Sequence, residues 1–184
     1  GGGALTALNK TTKWAVSGAA FATLVWKHDL EVCWYLLGSI LSAYNNKLLK
    51  RLLNHSRPDT AAGYKEDPGM PSSHAQSLGF LACSLALALN TGLRGPCAES
   101  LAGALAAWAV AGFLAWLRVA TGLHTRAQVA VGMAVGLACA WAWHSIGAAW
   151  VLGGAAPVLE QTVYGLTCAA VIAFGMKFVA NWTD

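Results

Sequence analysis

Arg118, Thr121, Gly122, His124 and Gln128 fall within one short stretch, Arg118-Val-Ala-Thr-Gly-Leu-His-Thr-Arg-Ala-Gln128, at the break between two long apolar segments. Ionisable groups at such a membrane-edge break are costly and usually functional. Two further clusters lie upstream: Lys50 followed after six residues by Arg57-Pro58, and Pro71-Ser72-Ser73-His74. Together they supply fixed cations, hydroxyls and two histidines, an inventory suited to phosphoryl transfer through a histidine.

Each cluster has its own logic. On a helix, a seven-residue step returns to within about 20° of the same direction, so Lys50 and Arg57 are expected to face one pocket, with Pro58 ending the segment there. An ammonium and a forked guanidinium suit a phosphate. Pro71-Ser72-Ser73-His74 opens an apolar helix, where free N–H groups and the positive dipole end favour an anion, and where Ser72 or Ser73 can also cap. His74, in the first turn, is placed to protonate a leaving oxygen. Thr121-Gly122 breaks the helix so that Arg118 ends one segment and His124 enters the next. Gln128, one turn beyond His124, can accept the imidazole Nδ1–H and leave Nε2 free to attack phosphorus. Gln128→Asp is expected to keep or raise activity, because a carboxylate at the same reach both orients the ring and stabilises its cationic form.

The elements that must position these groups are apolar helices. The chain is 57% hydrophobic and only 11% charged, with mean hydropathy +0.51, too apolar for an ordinary soluble domain. Apolar segments run approximately over 14–26, 30–53, 73–89, 98–119, 126–150 and 158–179, with breaks at Lys27-His28-Asp29, Asn90-Thr91-Gly92 and Gly95-Pro96. The expected fold is all-α, a six-helix transmembrane bundle, one domain over residues 1–184, with a long polar loop at about 55–70. If every segment spans, all three clusters and both termini lie on one membrane face. Ten basic residues then share that face (Lys10, Lys13, Lys47, Lys50, Arg51, Arg57, Lys65, Arg118, Arg126, Lys177) against two opposite (Lys27, Arg94), which makes it cytoplasmic or stromal.

Other features bound the function. A net charge of +4 without a basic-aromatic patch gives no support to nucleic-acid binding. Cys33, Cys83, Cys97, Cys139 and Cys168 lack metal-ligand spacing and read as small buried hydrophobes. Gly132 and Gly136 suit close helix packing inside the molecule, and Trp14, Trp26, Trp150 and Trp182 suit interfacial belts. The start Gly1-Gly2-Gly3 fits a processed precursor, a removed targeting peptide or a trimmed chain.

The three clusters, in order from Lys50 to Gln128, resemble the signature of the type 2 phosphatidic acid phosphatase superfamily of histidine phosphatases, K-x6-RP, PSGH and SR-x5-H-x3-D. The resemblance implies His124 as the nucleophile that forms a phosphohistidine and His74 as the acid for the leaving group. It implies Lys50, Arg57, Ser72 and Arg118 as phosphate binders, with no cofactor or metal. Ser73 stands where the signature has glycine, Leu117 where it has serine, and Gln128 where it has aspartate. A neutral amide can orient His124 but cannot stabilise its charged form as a carboxylate would. Gly-Met-Pro-Ser-Ser-His-Ala-Gln and His-Thr-x-x-Gln-Val are similar to the subgroup of dolichyl diphosphatases and plastid lipid phosphate phosphatases. Leu117-Arg118-Val119 with Gly122-Leu-His-Thr looks closest to the epsilon kind.

The expectation is therefore a metal-independent phosphatidate phosphatase in a chloroplast membrane, envelope or thylakoid, with the endoplasmic reticulum or a bacterial inner membrane as alternatives. A lipid diphosphate is the alternative substrate. A second expectation, motivated by Gln128 and Leu117, is a catalytically weak member serving as a subunit of a larger membrane assembly.

Overall fold

The structure, a computed structural model, describes residues 11, 16, 18–19, 21–58, 67–92, 96–154 and 156–180, with backbone alone at 174, 175 and 177–180. Six helices and no strands occur among them: α1, continuous over 21–27, then α2 (Leu30–Leu53), α3 (Ser73–Gly92), α4 (Ala98–Ala120), α5 (Arg126–Trp150) and α6 (Pro157–Ala180). Lys10, Lys13, Lys65, Arg94, Trp14, Trp182 and both chain ends lie outside the described residues.

Local chemistry sets the boundaries. After α1, His28 takes a positive φ of 30° and Asp29 caps α2 by accepting the Val32 N–H at 2.9 Å. The expected break at Asn90-Thr91-Gly92 is instead the last turn of α3. Asn90 Nδ2 donates to the Ala86 carbonyl at 2.8 Å and Thr91 Oγ1 to that of Leu87 at 3.1 Å, so these side chains satisfy helical carbonyls and prolong the helix. Cys97 caps α4, its Sγ accepting the Ser100 N–H at 3.4 Å, and like Cys168 it is exposed; only Cys33 and Cys83 fit the buried reading fully.

α3 is the centre of the bundle, packed against α2, α4 and α5, while α6 lies on α2. The closest crossing is α3 on α5. A Cβ on Gly132 would strike the Ser72 carbonyl and Ala75, one on Gly136 the Gln76 carbonyl and Phe80 N, and one on Gly79 the Met133 backbone. Three glycines thus let two backbones touch, which fixes how the start of α3 sits on the start of α5. Ala75, Leu78, Ala82, Ala111, Ala115 and Val129 fill the core there.

The exterior is apolar. Phe113, Trp116, Trp141, Leu166 and Ile172 are all exposed, a surface that water would not tolerate and lipid would. α4 and α5 are long and apolar enough to cross a membrane. Trp26 and Trp150, 87% and 73% exposed, stand at helix ends where interfacial tryptophans are expected.

Candidate active site

The ends of α2 and α4 and the starts of α3 and α5 meet at one end of the bundle. The Ser72 N–H donates to the Gln128 carbonyl at 3.1 Å, joining α3 to α5. Arg57 Nη1 donates to the Leu123 carbonyl at 3.3 Å, joining the segment after α2 to the α4–α5 turn.

That turn is built to return the chain. Thr121 ends α4, Gly122 adopts φ 70°, and the Arg118 carbonyl accepts the N–H groups of both Leu123 and His124 at 3.2 Å. Positive φ is cheap only for glycine, so Gly122 lets His124 fold back beneath buried Arg118. Thr125 then caps α5 in a reciprocal box: its Oγ1 accepts the Gln128 N–H at 3.2 Å, and Gln128 Oε1 accepts the Thr125 N–H at 3.1 Å.

His124 is buried, and its two ring nitrogens see opposite chemistry. Nδ1 faces two carbonyl-type acceptors, Gly69 O and Gln128 Oε1, both at 3.1 Å. Nε2 faces a donor, Arg57 Nη1, at 3.2 Å. Only the Nδ1–H tautomer satisfies all three, leaving the lone pair on Nε2. Burial first, and then the Arg57 guanidinium, push the imidazole down to about 4, so the ring is a neutral base at ordinary pH.

Gln128 is fully buried and uses its whole amide. Besides His124 and Thr125 on Oε1, its Nε2 donates to Ser56 O at 2.7 Å and lies 3.2 Å from His55 Nδ1. The donor and acceptor neighbours on its two sides fix the amide orientation. A Cβ on Gly69 would collide with this amide, so glycine is required where the loop passes.

Lys50 and Arg57 converge, but not by helical periodicity. α2 stops at Leu53, Asn54 turns left-handed with φ 38° and donates its N–H to the Lys50 carbonyl, and residues 54–58 leave the helix. The expected shared helical face is thus corrected: the two cations meet across Asp67. Lys50 Nζ pairs with Asp67 Oδ2, and Arg57 Nη2 with Oδ1 at 2.9 Å; Arg57 Nε also donates to the Asp67 carbonyl at 3.0 Å. Partial burial pushes the Asp67 carboxyl up, but Lys50 and Arg57 outweigh it and hold it below the usual carboxylate range.

Ser72 is fully buried just before α3, with Oγ 3.5 Å from the Ala75 N–H, at the limit of a cap. Ser73 is exposed, and His74 is half-buried in the first turn. Leu117, preceding Arg118, is fully buried in the apolar interior. Among the described residues, no group of three or more His, Cys, Asp or Glu is arranged to hold a metal ion.

Sequence reasoning missed several supports. Asn46, one turn before Lys50, donates to Gln76 Oε1 at 2.8 Å, and Gln76 Nε2 donates to Ser42 O at 2.7 Å, locking α2 to α3 beneath the site. Asp67, Gly69 and His55 enter only through tertiary contact. The reciprocal cap was legible in Thr125-Arg-Ala-Gln128, a hydroxyl followed three residues later by Gln.

At one end of the helical bundle a buried histidine thus stands among fixed cations, an arrangement suited to an anion. The pattern of the PAP2 superfamily matches residues 31–151, and the chain belongs to that superfamily. Lipid phosphate phosphatase epsilon 1, chloroplastic, of Arabidopsis thaliana is 33% identical over 99% of this chain and 65% of its own length. Its epsilon 2 counterpart is 31% identical over 95% of this chain and 60% of its own. The chain thus spans less than two thirds of either relative. A putative dolichyldiphosphatase of Neurospora crassa is 28% identical over 67% of this chain. The crystal structure of a transmembrane PAP2 type phosphatidylglycerolphosphate phosphatase from Bacillus subtilis superposes with a TM-score of 0.63 at 19% identity, over 79% of this chain and 74% of that one, and shares its fold.

Proposed function

We propose that the protein is a single membrane-embedded lipid phosphate phosphatase that removes phosphate from phosphatidic acid in a plastid membrane, without a metal. The observation that carries the reading is the tautomer of His124: two acceptors hold Nδ1–H, and Nε2 presents its lone pair beside Arg57. In the reaction, Nε2 attacks phosphorus as the bond from phosphorus to the lipid oxygen breaks. Protonated His74 gives its proton to that oxygen, releasing diacylglycerol. His74 then takes a proton from water, whose oxygen attacks the phosphohistidine and frees orthophosphate and neutral His124. Lys50, Arg57, Arg118 and the Ser72–Ser73 start of α3 bind the phosphoryl oxygens. Gln128 positions His124. The names of the Arabidopsis relatives support the plastid and the lipid phosphate; the name of the Neurospora relative supports a lipid diphosphate as the alternative substrate.

A second reading rests on Gln128, which stabilises an imidazolium less than a carboxylate would: weak catalysis within a larger membrane assembly. One experiment separates them. Purified protein is given phosphatidic acid and a prenyl diphosphate side by side with chelator present, and released phosphate is counted. Release from phosphatidic acid with acid-labile phosphate on a histidine is expected. No release from either overturns the enzyme and favours the subunit; release only without chelator removes the metal independence.

A further inference from the structure

The cations assigned to phosphate already hold an anion. Asp67 presents one carboxylate oxygen to Lys50 and the other to Arg57, and its carbonyl takes the Arg57 Nε–H. The three side chains differ in depth: Lys50 and Arg57 are 8% and 10% exposed, Asp67 is 44% exposed. The cations are therefore held inside the protein, while the carboxylate reaches them from the solvent side. The same guanidinium that binds Asp67 on Nη2 touches His124 Nε2 on Nη1, so this anion stands next to the candidate nucleophile.

We propose that Asp67 is a built-in competitor for the substrate phosphate: its carboxylate occupies the Lys50/Arg57 anion site in the resting protein and is displaced by a phosphate monoester dianion better than by a phosphodiester monoanion. This rests on the reading that Lys50 and Arg57 bind the substrate phosphate. The physical reason is an exchange. A monoanion replaces one charge by one and gains little, whereas a dianion brings a second charge and three terminal oxygens to the same fixed donors. A site filled by its own ligand most of the time lowers the apparent affinity for an incoming one by its open fraction. If Asp67 instead served only to brace the two cations, removing its charge would weaken phosphate binding.

The test measures orthophosphate and dimethyl phosphate binding calorimetrically at pH 8, where orthophosphate is mainly a dianion. It uses the full detergent-solubilised chain as wild type, Asp67→Asn and Asp67→Ser. Either substitution is expected to tighten orthophosphate about tenfold, as for a site opened from roughly a tenth of the time to all of it. Each should tighten dimethyl phosphate by the same factor, since a self-filled site lowers the apparent affinity of every ligand by its open fraction. Adding Lys50→Ala should abolish the gain. Unchanged or weaker orthophosphate binding in the folded variants overturns the proposal, as does wild type binding dimethyl phosphate as tightly as orthophosphate, an arm that needs no variant. Binding is read without turnover, so wild type that binds phosphate in this pattern but hydrolyses no ester sinks the phosphatase reading alone. Wild type that hydrolyses phosphatidic acid without any gain in the variants sinks the role of Asp67 alone.

Discussion

Two histidines mark the two ends of α5, and both meet α2 or the segment just after it, yet their surroundings assign them different work. His124, before the first turn, has carbonyl acceptors on Nδ1 and a guanidinium on Nε2, with Lys50 and Arg118 adding positive charge. His144, near the last turn, bonds through Nδ1 to the Tyr35 hydroxyl at 2.6 Å and stacks on its ring. Beside it Trp34 and Trp143 stack at 4.1 Å, and each donates its indole N–H to the other's backbone carbonyl. Gly38 and Gly147 leave room for these indoles. One end of the α2–α5 pairing is a charged pocket with a lone pair aimed at its cations; the other is an aromatic clamp. A histidine's role is set by what faces each nitrogen, more than by its depth or helix.

The sharpest way to break this comparison is to remove each ring in turn. His124→Ala should lower phosphate release by at least about 10³-fold, because the proposed nucleophile has no substitute. His144→Phe should keep turnover within about twofold and cost about 1 kcal/mol of stability through the lost Tyr35 hydrogen bond, read as a lower melting temperature. Equal losses of activity in the two variants would show that the aromatic end takes part in the chemistry. Next in size is Arg57→Lys. A lysine cannot reproduce the fork that reaches Asp67 and the vicinity of His124 together, so kcat/KM should fall about 10²-fold. Full activity in that variant would reduce Arg57 to a surface ion pair.

How much of this was legible in the sequence depends on which interaction does the positioning. Long apolar runs and the polar break at Lys27-His28-Asp29 mark helices plainly because they act locally. The meeting of Lys50, Arg57 and His124 at one end follows from counting spans, and needs no contact information. Asn90 and Thr91 misled because their side chains bond helical carbonyls as readily as they break a helix. Asp67 and the Gly69 carbonyl stayed hidden for another reason: the loop approaches through tertiary packing, and a backbone oxygen has no residue type to notice. The Lys50–Arg57 spacing suggested the right neighbours by the wrong route, since the helix stops between them and a carboxylate joins them.

Gln128 tests the second shared feature, the anchor behind the ring. Gln128→Ala leaves the Gly69 carbonyl on Nδ1, so turnover should fall about 10- to 100-fold, less than for His124→Ala. The structure reverses the expectation for Gln128→Asp. A carboxylate has no donor for the Ser56 carbonyl, which Gln128 Nε2 reaches at 2.7 Å, and it would place an anion against that oxygen in a buried site. Gln128→Asp should therefore be no more active than Gln128→Ala. Activity above wild type would show that charge on the anchor matters more than its donors.

The smallest expected effect is the most diagnostic of electrostatics. His124 sits at about 4, below the ordinary histidine value of about 6.5, so the folded protein binds its proton less readily than the unfolded chain does. A depressed value of this kind contributes stability that is fully present above the unfolded value and is lost as pH falls from about 6.5 through about 4. The same depression keeps Nε2 unprotonated, so the acid limb of kcat/KM in wild type should lie near 4. Burial is the largest cause and Arg57 the next. Arg57→Gln removes the second cause and leaves the first, so the limb should move part of the way up towards the ordinary histidine value, while His144→Phe should leave it in place. A limb that stays near 4 in Arg57→Gln would mean that the guanidinium does not act on the His124 ring in solution. The contrast between the two ends of α5 would then rest on burial and the carbonyl acceptors alone.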